Sequence, residues 1–168
     1  YRVAGILVYP LAGPFLAYRS WKGKEDRLRR SERLGYASQP RPRGPLVWAH
    51  SASVGETLAL IPLLRELGRR DIHVLLTTGT VTSAELVRNR LGDQVIHQYV
   101  PLDLKFSMKR FVSYWRPDAC ITAESEIWPT TLLELHRRKI PQITVNARIS
   151  DRSFERWQRH DTIAEALF

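Results

Sequence analysis

The sequence predicts an α/β fold, a Rossmann-like parallel sheet with helices on both faces. Three observations carry this. From residue 46 onward, short apolar runs rich in β-branched residues alternate with longer segments of helical period. Strand–helix alternation implies βαβ units, and their right-handed crossovers bring the carboxyl end of every strand to one edge. The chain has 168 residues, enough for one such domain with a proper core and few for two.

The chain divides into three parts. Val3 to Tyr18 is an apolar stretch, slightly short of the roughly 20 residues a membrane helix needs. Its two prolines and two glycines suit a buried core helix poorly, so residues 1–18 are expected to form a membrane anchor or interfacial segment. Residues 19–44 follow as a basic juxtamembrane linker. Positions 19–43 hold nine Lys/Arg against three Asp/Glu, most of the net charge of +9. Cations directly after an apolar segment fit the cytoplasmic flank of an anchor and an anionic membrane surface as partner. The linker ends in Gln39-Pro-Arg-Pro-Arg-Gly-Pro45, which cannot be helix interior. Residues 45–168 form the Rossmann-like domain.

Within that domain, strands are expected at Leu46–His50, His73–Thr78, Val95–Tyr99, Asp118–Ala123 and Gln142–Asn146. Helices are expected at Glu56–Gly68, Thr82–Arg90, Phe106–Trp115 and Trp128–Lys139. Leu58, Ile61, Leu64 and Leu67 mark one buried helix face; Leu132, Leu133 and Leu135 with Ile140 mark another. Pro129 suits a first helical turn, whereas Pro62 implies a kink or a later start. Cys120 stands alone, which excludes an internal disulfide framework, and reads as a small buried hydrophobe.

The distinctive polar residues fall in the five loops after the strands, at the edge where open α/β sheets bind ligands. In His50-Ser-Ala-Ser-Val-Gly-Glu56, Ser53 and Glu56 have the spacing of a capping box. Glu56 is then either a structural cap or a carboxylate poised to accept a proton, with Gly55 admitting a close approach. Local spacing favours the cap. Thr77-Thr-Gly-Thr-Val-Thr82 presents Thr78 and Thr80 around Gly79, fit to cradle a phosphate or sugar, while Thr82 with Glu85 forms a second capping pattern. Glu124, Ser125 and Glu126 end a buried run, where the carboxylates can orient hydroxyls or add charge to the start of the next helix. Asn146 and Arg148 end the last strand, and Arg148 suits a phosphate or one of those glutamates. His97 reads as a satisfied core histidine. Arg148, Arg152, Arg156 and Arg159 suggest a basic helix, for which a solvated face competes with anion binding. There is no P-loop ending, no G-x-S-x-G and no His/Cys spacing for a metal.

Taken together, seven segments in order resemble one family: Lys22-Gly-Lys-Glu-Asp26, Glu32-Arg-Leu-Gly35, the His50–Glu56 loop, His97-Gln-Tyr-Val-Pro-Leu-Asp103, Trp115-Arg-Pro-Asp118, Glu124-Ser-Glu-Ile-Trp-Pro129 and Asn146-Ala-Arg-Ile-Ser150. They resemble the N-terminal half of 3-deoxy-D-manno-octulosonic acid (Kdo) transferases. The resemblance implies the N-terminal half of a GT-B glycosyltransferase, with a second, donor-binding domain expected beyond Phe168 and little activity for this half alone. It implies inverting transfer of Kdo from CMP-Kdo to a lipid A precursor in lipopolysaccharide biosynthesis, at the cytoplasmic face of a Gram-negative inner membrane. No metal, cofactor or nucleic acid is implied. Glu56 maps to the family's general base. Glu124 and Glu126 map to its cleft. Ser83 departs from the glycine common there. The reading from another class is a non-catalytic basic module that binds anionic lipid or nucleic acid at a membrane surface.

Overall fold

The structure, a computed structural model, describes residues 9–124 and 128–147. A short 3-10 turn, Tyr9–Leu11, leads into α1 (Ala12–Trp21). A second, Arg30–Leu34, precedes the sheet domain. There β1 (Leu46–Ser51), α2 (Val54–Arg69), β2 (His73–Thr78), α3 (Val81–Arg90), β3 (Ile96–Tyr99), α4 (Lys105–Trp115), β4 (Ala119–Ala123), α5 (Pro129–Arg137) and β5 (Gln142–Val145) alternate along the chain. Among the described residues all four strand pairings are parallel, in the order β3-β2-β1-β4-β5.

The strand pleat divides the core. Ala49, Val74 and Leu76 meet Leu60, Ile61 and Leu64 of α2 and Val87 of α3 on one face. Leu46, Trp48, Leu75 and Cys120 point the other way, onto Phe111 and Trp115 of α4 and Leu135 of α5. Burial pushes the Cys120 thiol well above its ordinary pKa, so it stays an inert thiol.

Four local expectations are corrected. α2 starts at Val54 and runs through Pro62. The carbonyl that Pro62 cannot bond belongs to Leu58, which is 45% exposed on the outer side, where water can satisfy it. Leu58 therefore leaves the buried face, which runs through Thr57, Leu60, Ile61 and Leu64. Leu133 is likewise exposed, and Leu135 alone of its trio is fully buried. Finally, α3 is capped by Thr80, not Thr82: its Oγ1 accepts from the Ser83 amide at 3.1 Å.

The basic stretch is ordered on the sheet domain. Glu32 is fully buried and accepts from the Tyr99 amide at 2.7 Å and, through both oxygens, from Arg29 at 2.8 and 3.0 Å. Gly35 ends the turn with φ 83°, packed so that a Cβ there would lie 2.1 Å from the Ser107 carbonyl oxygen of α4. Only glycine fits that position.

Candidate functional site

In this strand order the winding reverses between β1 and β4, which opens a crevice at their carboxyl ends. The β1–α2 loop lies at that crevice. Ser53 caps α2, accepting from the Glu56 amide at 3.2 Å, and Glu56 Oε2 accepts from the Ala52 amide at 2.7 Å. This is a capping box closed one residue upstream of the cap. Glu56 is only 7% exposed. One carboxylate oxygen is held by the loop, and Oε1 accepts no hydrogen bond from a described residue. Gly55 is exposed, and a methyl group there would meet nothing nearer than Ser53 Oγ at 3.9 Å. The protein's own packing does not require that glycine, and the space beside it is open.

Beside this loop lies a cavity of about 280 Å³, lined among others by Phe15, Arg33, His50, Ala52, Asp103 and Trp128. Larger hollows, of about 560 and 610 Å³, lie at the amino ends of the strands and along β3, and neither is lined by any residue of the β1–α2 loop. The small cavity combines aromatic walls with ionic and hydrogen-bonding groups, the composition of a site for an amphipathic ligand.

His50 is a residue that reading the loop for carboxylates and hydroxyls missed. Its Nδ1 lies 3.1 Å from the Thr77 carbonyl, which can only accept, so Nδ1 carries the proton and Nε2 keeps its lone pair. Burial pushes His50 down to about 4; the Thr77 carbonyl and the Glu56 charge oppose this in part. It is a neutral acceptor at physiological pH. Its position as the last-but-one residue of β1, just ahead of the Ser-Ala-Ser turn, was the available signal.

Both threonine hydroxyls make hydrogen bonds within the fold. Thr78 Oγ1 lies 3.0 Å from His97 Nε2, whose other nitrogen faces Arg29 at 3.2 Å. A guanidinium only donates, so His97 Nδ1 accepts and Nε2–H donates to Thr78. His97 is thus a satisfied structural histidine, pushed down to about 3 by burial and by Arg29, Arg33 and Arg88. Thr80 accepts from the Ser83 amide and donates to Ser83 Oγ at 2.8 Å. Its hydroxyl proton is used by the cap, while the exposed oxygen keeps one lone pair.

Asp103 grips the start of α5. Its carboxylate accepts from the Thr130 and Thr131 amides at 3.0 and 2.8 Å and from the Thr131 hydroxyl at 2.8 Å. Glu124 and Asn146 follow the paired residues Ala123 and Val145, and both adopt left-handed backbone, φ 56° and 54°. Asn tolerates that region; Glu is strained there, as residues at functional edges often are. Ser125, Glu126, Arg148 and the basic tail lie outside the described residues. Among the described residues no group of three or more His, Cys, Asp or Glu is placed to hold a metal ion.

The fold is similar to that of Acinetobacter baumannii MurG, at a TM-score of 0.50 and 12% identity over 60% of this chain and 34% of that one. At that identity the likeness speaks for the fold alone, one Rossmann-like half of a GT-B architecture. The probable mitochondrial 3-deoxy-D-manno-octulosonic acid transferase of Arabidopsis thaliana is 38% identical over 94% of this chain. The 3-deoxy-D-manno-octulosonic acid transferase of Haemophilus influenzae is 41% identical over 90% of it. The chain spans 36% of the length of each. Residues 28–168 match the family described as 3-Deoxy-D-manno-octulosonic-acid transferase (kdotransferase). With that match over most of its length, this chain belongs to the Kdo transferase family.

Proposed function

We propose that this chain forms the acceptor-binding side of an inverting glycosyltransferase that moves Kdo from CMP-Kdo to a lipid A precursor, with Glu56 as general base. The observation that carries the reading is the buried Glu56 carboxylate, fixed through one oxygen at the crevice between β1 and β4. In the reaction, Glu56 takes the proton of an acceptor hydroxyl. That oxygen bonds to the anomeric carbon of Kdo from the face opposite the leaving group. The bond from that carbon to the phosphate oxygen breaks, and cytidine monophosphate departs with the electron pair. His50 Nε2 is the acceptor best suited to orient a substrate hydroxyl without competing for charge. Gly55 gives the acceptor room, while Ser53 holds the loop and Glu124 and Asn146 shape the neighbouring strand ends. Ser125, Glu126 and Arg148 complete the substrate contacts in this reading, and the donor is held mainly by a second domain.

The membrane face of this reading rests on α1. Leu11 in the turn just before it and Tyr18 and Trp21 on it are exposed, Trp21 to 70%, while Ala12, Leu16 and Ser20 are buried on the opposite side. Lys22 sits over the Trp21 ring at 5.3 Å. An aromatic, lysine-flanked stripe suits an anionic bilayer at the cytoplasmic face of the inner membrane. No helix among the described residues is long and apolar enough to cross a membrane. The decisive experiment is Glu56→Gln in the longest natural chain carrying these residues, assayed for Kdo transfer to a lipid A precursor. Turnover should fall at least about a hundredfold, the range of a positioned base. Near-full turnover with intact folding would leave Glu56 as a cap.

A further inference from the structure

Arg33 lines the cavity beside the crevice and makes four hydrogen bonds, yet neither the capping pattern nor the proposed chemistry uses it. It is buried, and its guanidinium joins one carboxylate to two separate backbone carbonyls. Nε and Nη2 donate to the two oxygens of Glu25 at 2.8 and 3.2 Å. Nη2 also donates to the Gly79 carbonyl at 2.7 Å, and Nη1 to the Val100 carbonyl at 3.0 Å. The loops after β2 and β3 are thus fastened to one cation, and Glu25 fixes its orientation. Arg19 of α1 donates to the same Glu25 at 2.8 Å.

Gly79 is in turn seated on the β1–α2 loop. A Cβ at Gly79 would lie 3.1 Å from the Ala52 carbonyl oxygen, so the two backbones are in close contact. Ala52 is the residue whose amide holds Glu56 Oε2. A contiguous path therefore runs from Glu25 through Arg33, Gly79 and Ala52 to Glu56. We propose that Arg33, oriented by Glu25, is a positioning residue for the Kdo-transfer reaction: it sets the height of the Gly79 loop against Ala52 and thereby the place of the Glu56 carboxylate. The inference rests on the base role proposed for Glu56. Lysine cannot substitute, because a single ammonium cannot serve a carboxylate and two carbonyls held in the plane of a guanidinium.

The test compares Arg33→Lys, the paired change Glu25→Gln with Arg33→Gln, Glu56→Gln and the exposed control Glu66→Gln, each in the longest natural chain. Kinetics are measured on a lipid A precursor and CMP-Kdo, with amide exchange at Ala52 and Gly79 followed in parallel. Arg33→Lys should lower kcat at least about tenfold, since small displacements of a reacting group cost that much, with KM within about threefold and faster exchange at both amides. The paired change, which leaves no unpartnered buried charge, should reproduce the loss if Arg33→Lys folds poorly. Glu66→Gln should leave kcat unchanged. If Arg33→Lys and the paired variant keep kcat within twofold while Glu56→Gln abolishes turnover, the positioning role is overturned and the base role stands. If Glu56→Gln keeps turnover, the base role is lost and this inference with it.

Discussion

The Ala52 amide donates a 2.7 Å hydrogen bond to Oε2 of Glu56, so the loop that presents the carboxylate is closed by the carboxylate itself. One side chain therefore serves fold and chemistry together, and the two contributions separate by substitution. Gln at 56 keeps an oxygen for the Ala52 amide and should leave the urea midpoint nearly unchanged. Ala at 56 removes the acceptor and should cost about 1 kcal/mol, the usual value of a lost helix cap. An alanine variant as stable as the parent would show that the cap contributes nothing.

Gly55 separates stability from ligand access in the opposite direction. A methyl group at 55 meets open space and the backbone lies outside the left-handed region, so Gly55→Ala should stabilise the chain by about 0.4–1 kcal/mol through the unfolded state. The same methyl stands at the mouth of the α2 start and should weaken acceptor binding, read as a raised KM. A thermal melt that drops, or a KM that does not move, contradicts one half of this expectation each.

Gly35 should tolerate nothing larger. With φ 83° and a built Cβ only 2.1 Å from the Ser107 carbonyl oxygen, Gly35→Ala combines backbone strain with a clash against α4. The expected loss is at least about 2 kcal/mol, measured by chemical denaturation.

Acid should destabilise this protein earlier than its carboxylates alone require. His50 is held down to about 4 and His97 to about 3, in both cases first by burial. Unfolded histidine binds its proton near pH 6.5, so below that pH the unfolded chain carries protons the folded one refuses. The stabilisation is complete above about pH 6.5 and drains away as pH falls toward 4 for His50 and 3 for His97, by up to about 1.4 kcal/mol per pH unit for each. Urea midpoints from pH 7 to 4 should fall with this slope, and His97→Gln should flatten it. A flat profile in the parent would refute the assignment.

The α1 stripe predicts a separable membrane effect. Replacing Leu11, Tyr18 and Trp21 by serine removes exposed apolar groups and should leave the melting temperature within a few degrees. Binding to vesicles containing phosphatidylserine should fall steeply, and salt should weaken the parent's binding through Lys22 and Lys24. Undiminished vesicle binding by the triple variant would remove α1 from the interface.

The sequence by itself determined the alternation of strands and helices, the edge at which the loops gather, and the Ser53–Glu56 pairing, because these depend on periodicity and spacings of three or four residues. His73–Thr78 stands as read, and the other strands moved by one residue at an end. Leu58 and Leu133 are exposed despite their helical spacing, because which side of a helix is covered depends on where the sheet lies. The tertiary structure alone decided the fate of the basic stretch. Arg29 and Arg33 read as part of a basic linker facing an anionic membrane, yet they bond to His97 and Val100, 68 and 67 positions away, and to glutamates a few residues off. Thr78 and Thr80 read as a cradle for a phosphate or sugar, and folding brings His97 and the Ser83 amide to their hydroxyls. Polar side chains leave no periodic trace of their partners; only the packed backbone says which donor meets which acceptor.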